Sequence, residues 1–150
     1  VLNSGTGFTR PSAQATMTIP ATASRVITIG AYDARTFTYA DFSGRGPADE
    51  NTFWETAKPD LVAPGVAVRS MAAGGGYGEY TGTSFAVPFV TGSAALLMEW
   101  GIIKGNDPYL YGEKVKAYLR RGARELPGFA EYPNNQVGYG GLCLERSLPD

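Results

Sequence analysis

Apolar positions along the chain fall into two kinds of run. Val26-Ile27-Thr28-Ile29-Gly30-Ala31 is β-branched and almost continuously apolar, the pattern of a strand covered on both faces in a parallel sheet under helices. Asp60-Leu61-Val62-Ala63-Pro64-Gly65 predicts a second short strand closed by a Pro-Gly turn, and Val66 to Met71 a third, before the flexible loop Gly74 to Gly78. From Thr83 to Trp100 apolar residues follow one another almost without a break, which predicts a long helix stopped by Gly101. Apolarity on every side predicts that this helix is buried and central, with small Ala86, Gly92, Ala94 and Ala95 allowing close backbone approach. From about Asp107 to Arg121, Leu110, Val115, Tyr118 and Leu119 share one face, while Glu113, Lys114, Lys116 and Arg120 are placed toward water, with Gly122 as the stop. The tail Asn135 to Leu144 predicts a last strand or hairpin, and the weak alternation Ala15 to Ile19 an edge strand or extended arm. The order of elements is that of one α/β domain, with no repeat and no internal linker.

Composition narrows what such a domain can do. The 150 residues are 43% hydrophobic, enough for one real core. Thirteen basic and fourteen acidic residues leave a net charge of −1, so no overall field holds nucleic acid or an anionic membrane. The longest apolar stretch, Phe85 to Met98, is interrupted by Pro88, Thr91, Gly92 and Ser93 and falls short of the roughly 18 residues a bilayer span needs. No membrane segment is predicted. There is no histidine, so the usual general base of serine and cysteine hydrolases is missing from the chain. The single Cys143 cannot close an internal disulfide and reads as a buried thiol near a strand. Residues Val1 to Arg10 lack the pattern of a signal peptide, and the start within loop-like Asn3-Ser4-Gly5-Thr6-Gly7 reads as a piece of a longer protein.

Chemistry concentrates at Tyr80-Thr81-Gly82-Thr83-Ser84-Phe85-Ala86-Val87-Pro88. A serine after a glycine-bearing turn at a helix start lies beside amides that lack intrahelical partners and carry the positive end of the dipole. Donors of that kind can stabilise an oxyanion. The structural alternative is that Thr83 or Ser84 serves only as an N-cap. The G-x-S-x-G elbow is met in part, with Ala86 where the second glycine would stand. Lys58, Lys104, Lys114 and Lys116 are the candidates for a Ser–Lys pair, but each reads as solvated surface or turn. Asp33, Asp41 and Asp60 have no clustered metal-ligand spacing, so no metal site and no cofactor are predicted. Arg120, Arg121 and Arg124 read as a solvated basic helix end.

As an ordered string, Gly82-Thr83-Ser84-Phe85-Ala86-Val87-Pro88-Phe89-Val90-Thr91-Gly92-Ser93-Ala94-Ala95-Leu96-Leu97 closely resembles the serine motif of the subtilisin-like proteases. The Val26–Tyr32 run, Phe42-Ser43-Gly44-Arg45-Gly46-Pro47, Lys58 to Val66 and the closing Gly138 to Leu142 are similar to that family's segments in the same order. The resemblance implies a partial subtilisin-like α/β fold, the carboxy-terminal part of the catalytic domain, with a mainly parallel sheet and a central helix carrying the nucleophile. It implies Ser84 as nucleophile, Thr83 as support for the oxyanion, and Gly82 keeping the turn open beside substrate. It places Thr18, Ile19, Pro20 and Ala21 on one wall of the pocket for the residue preceding the scissile bond, with a cis Ile19–Pro20 bond. The family's oxyanion asparagine matches Asn3, although Leu2 stands where a glycine is expected, and Phe89 stands where histidine is common. The family's aspartate and histidine motifs are absent from the chain.

The implied activity is therefore serine endopeptidase in a longer protein, with the isolated chain inactive. The alternatives are a pseudoprotease of the same fold and a structural module in which Ser84 only caps a helix. The implied partners are the amino-terminal half of the same protease and a peptide or protein substrate, with self-association of the isolated piece. The implied location is extracellular or at the cell envelope.

Overall fold

The computed structural model describes residues 7–47 and 57–149. Two parallel strands form its centre: β1, Ile29–Asp33, pairs with β3, Leu61–Pro64, with Ile29 opposite Leu61 and Tyr32 opposite Pro64. The two-residue strand β2, Thr38–Tyr39, adds to the outer edge of β1 in antiparallel sense. On the other side of β3, Val62 bridges Gly141 in parallel, so the tail extends the sheet by a single bridge. β4, Val68–Met71, and β5, Tyr77–Tyr80, form a separate antiparallel hairpin. The predicted flexible loop shortens to its tip, where Gly74, Gly75 and Gly76 all take positive φ, while Tyr77 and Gly78 join the strand.

Helix α1, Thr83–Met98, packs on β1 and β3 and also meets α2, Glu113–Gly122, and the short α3, Leu144–Ser147. The core joins Ala31, Leu61 and Ala63 of the sheet to Ala86, Val90 and Leu97 of α1 and to Leu110, Val115 and Leu119. A second, smaller cluster joins Tyr32 and Val62 to Leu126 and Val137 on the far side. Both faces of the central strands are thus covered, which is why they read as nearly unbroken apolar runs.

Several elements depart from the sequence reading. The first strand starts at Ile29 rather than Val26, because the Thr28 amide bonds to the Asp60 carboxylate at 2.6 Å instead of joining the ladder. Of the two readings of Ala15 to Ile19 the arm is the one found, with Ala15 and Thr16 held by amide bonds to the carbonyls of Gly46 and Arg45. The long helix does not stop at Gly101. It continues through a π-helical segment, Glu99–Ile103, making a 21-residue apolar helix that by length and composition alone could cross a membrane. Gly101 is there for packing: a Cβ would lie 2.6 Å from Leu110 Cδ2.

Only one stripe of α1, Ala86, Val90, Ser93 and Leu97, is buried among the described residues. Val87, Phe89, Leu96 and Met98 are exposed, so the helix is central to the packing without being enclosed. The second helix begins at Glu113, not Asp107, because Gly112 takes a positive φ and breaks the approach to it. Gly122 is its last residue. Cys143 is half-buried and directly precedes α3.

Candidate functional site

The turn before α1 is fixed from below. The Gly82 amide donates to Gly65 O at 2.8 Å, the Ala67 amide donates to Thr81 Oγ1 at 3.0 Å, and the Gly65 amide donates to Tyr32 O at 3.0 Å. The helix start therefore stands over the carboxyl ends of β1 and β3, where open parallel sheets present their ligand crevices. Gly82 has φ 152° and ψ 159°, a region essentially reserved for glycine. Tyr80 stacks on Phe85 with centroids 5.1 Å apart, closing the outer side of the turn.

Gly82 is the capping residue, and no side chain caps the helix. Ser84 is the second helical residue and is exposed. Its amide lies in the first turn, where the helix offers no carbonyl of its own to receive it. Pro88 has no N–H, so the Ser84 carbonyl also goes without its ordinary helical donor. The hydroxyl of Ser84 is thus not spent on capping, contrary to the structural alternative. Thr83, half-buried, lines a cavity of about 220 Å³ together with Thr18, Ala21, Thr28 and Phe42. The structure thereby brings together Thr83 with Thr18 and Ala21, residues assigned from two separate segments. Ile19 and Pro20 are exposed on the same segment, and the bond between them is cis. Asn3 lies outside the described residues.

All four lysines are engaged elsewhere. Lys104 pairs with Glu99 at 3.7 Å and Lys114 with Asp107 at 2.6 Å. Lys58 and Lys116, read from sequence as solvated, are each about 5% exposed. Both surround Asp60, which is fully buried: Lys58 Nζ is 3.0 Å from Oδ2, Lys116 Nζ is 3.3 Å from Oδ1, and Arg120 Nε donates to Oδ1 at 2.9 Å. Burial pushes the Lys58 ammonium below its ordinary pKa, with Asp60 opposing that push and Lys116 and Arg120 adding to it. Sequence reasoning missed this cluster because its members lie 2, 56 and 60 positions from Asp60, where helical or strand periodicity gives no signal. The three arginines likewise share no common face: Arg120 binds Asp60, Arg121 covers the Tyr118 ring, and Arg124 covers the Phe37 ring. Among the described residues no group of acidic or cysteine side chains could hold a metal ion.

Residues 3–140 match the Subtilase family. The chain is 31% identical to the serine protease AprX of Bacillus subtilis over 95% of its own length and 34% of that protein's. It is 32% identical to the subtilase-type proteinase RRT12 of Saccharomyces cerevisiae over 82% of its own length and 23% of that protein's. Among solved structures, it resembles the CspB protease of Clostridium perfringens with a TM-score of 0.88 and 46% identity, covering 97% of this chain and 30% of that one. The chain thus spans about a third or less of the length of these proteins. With matching sequence along nearly all of its length and the same arrangement of strands and helices, the chain belongs to the subtilase family of proteases.

Proposed function

We propose that this chain is the carboxy-terminal part of a subtilisin-like serine endopeptidase and supplies its nucleophile, Ser84. The observation that carries this reading is the exposed Ser84 in the first turn of a helix that no side chain caps, directly after Thr83, which lines a cavity with Thr18 and Ala21. In this reading Ser84 Oγ attacks the substrate carbonyl, its proton passing to a histidine, and an aspartate orients that histidine. In this reading both partners come from the part of the protein that precedes this chain, since the chain has no histidine and lacks the family's aspartate motif. The Ser84 amide, aligned with the helix dipole, receives the negative charge that develops on the carbonyl oxygen, with the Thr83 hydroxyl and the Asn3 side chain in support. Water then hydrolyses the acyl-enzyme.

Gly82 keeps the turn open beside the peptide, and Thr18, Ile19, Pro20 and Ala21 form one wall of the pocket for the residue before the scissile bond. The exposed Val87 and Met98 on one flank of α1, and Phe89 and Leu96 on the opposite flank, support a partner as well: the preceding portion of the same protease, packed against the helix on either side of its buried stripe. The substrate is a peptide or protein, and the site of action is outside the cell or at its envelope.

The test is labelling with a serine-directed fluorophosphonate, using the full-length protein. One adduct on the peptide containing Ser84, abolished in Ser84→Ala, is the expected result. No adduct would remove the endopeptidase reading and leave a pseudoprotease or structural module. The chain alone is expected neither to label nor to hydrolyse peptides, because it has no general base.

A further inference from the structure

The buried ammonium of Lys58 has no part in the chemistry above, yet one of its hydrogen bonds leads to the cavity. Nζ donates to Val26 O at 2.8 Å, to Thr28 Oγ1 at 2.8 Å and to Asp60 Oδ2 at 3.0 Å. A hydroxyl has one hydrogen to give, and an ammonium can only donate. With Lys58 donating to one of its lone pairs and unable to accept, Thr28 must direct its single hydrogen elsewhere, and it donates to Ala21 O at 2.6 Å. The acceptor is on the segment that carries Thr18, and both Thr28 and Ala21 line the cavity beside Thr83. Lys116 fixes the return of the same segment, its Nζ donating to Ser24 O at 2.6 Å and Val26 O at 3.2 Å. Asp60 anchors both ammonium groups, and it also accepts from the Thr28 amide.

We infer that Lys58 is a positioning residue for the substrate pocket: by fixing the donor direction of the Thr28 hydroxyl it holds the Ala21 carbonyl, and with it the Thr18–Ala21 wall, in place. This rests on the reading of that wall as the pocket for the residue preceding the scissile bond. Lys58 touches no substrate and acts only through Thr28. Its effect therefore belongs to substrate binding and selectivity, not to the chemical step.

The experiment uses the full-length protease and a series of tetrapeptide p-nitroanilides that differ only in the residue before the scissile bond. Lys58→Met is expected to raise KM about tenfold, with kcat changed by less than about threefold and the preference within the series flattened. Lys58→Arg, which keeps a buried donor, is expected to restore most of both. Because Lys58→Met also disturbs Asp60, Thr28→Val gives an independent reading: it leaves the ammonium on Val26 O and Asp60, removes the link to Ala21, and is expected to reproduce the rise in KM. Unchanged KM and preference in Thr28→Val, or a loss confined to thermal stability in both variants, would overturn the inference. Fluorophosphonate labelling of wild type separates the two levels: if Ser84 labels while the variants keep their KM, only the role of Lys58 falls, and if Ser84 does not label, the pocket reading falls and this inference with it.

Discussion

At the scale of single residues, the site depends on two close approaches and one buried charge. Gly65 lies between β1 and the turn before α1, and a Cβ there would meet Ala31 Cβ at 2.6 Å and Gly82 O at 3.1 Å. Both neighbours are backbone or a rigid methyl, so the turn must move. Gly65→Ala is expected to cost about 1–3 kcal/mol in chemical denaturation and to slow fluorophosphonate labelling of Ser84 in the full-length protein. Asp60 is the single carboxylate contacting Lys58, Lys116 and Arg120 among the described residues. Asp60→Asn leaves those cations buried without their counter-charge, and a loss of about 3–5 kcal/mol in equilibrium unfolding is expected. Sequence reading reached Gly82 and Ser84 because their local string is distinctive. It placed Lys58 and Lys116 in water because each is hydrophilic taken alone, and only the fold shows what surrounds them.

At the scale of elements, α1 and α2 show how far periodicity carries. The burial of Val115 and Leu119 of α2 was legible because they repeat at helical spacing and pack on a neighbour, whereas Gly122, read only as the stop, is buried with them. Leu119 is fully buried, so Leu119→Ala should destabilise by about 2–5 kcal/mol, measured by denaturant titration. The approach to α2 is held by Asp107, which pairs with Lys114 at 2.6 Å and accepts from Tyr118 Oη at 3.2 Å. The Lys114 hydrogen bond, against a smaller opposing effect of burial, holds the Asp107 carboxyl below its ordinary pKa of 3.8. The same bond raises Lys114 above 10.5. The stability this pair gives is thus fully present between those two ordinary values. It is lost as pH falls through the depressed carboxyl value, or rises through the elevated ammonium value. Asp107→Asn should therefore flatten part of the acid limb of a plot of melting temperature against pH while leaving neutral stability little changed, since the pair is partly exposed. Gly101 was misjudged as a stop because a glycine that ends a helix and one that lets Leu110 pack closely look identical in sequence.

At the scale of the whole molecule, the described residues cover one stripe of α1 and leave Val87, Phe89, Leu96 and Met98 in solvent. A helix apolar on all sides in a chain that covers only part of its surface is expected to seek another surface. The chain alone is expected to self-associate, with sedimentation coefficients that rise with concentration, and Phe89→Lys should weaken that association. In the full-length protein, where the preceding portion is proposed to cover the flank carrying Phe89 and Leu96, the same substitution should instead lower the melting temperature.

The sequence by itself determined the apolar runs of the central strands, the long helix, and the string from Gly82 to Leu97, because each is written in neighbouring residues whose spacing matches one regular structure. The tertiary structure decided which face of that helix is covered, that Thr18, Ala21 and Thr83 line one cavity, and that Lys58, Lys116 and Arg120 converge on Asp60. Apart from the neighbouring Lys58 and Asp60, those relations join residues of segments tens of positions apart. They exist only once packing has brought the segments together and removed the water that would otherwise keep the charges separate.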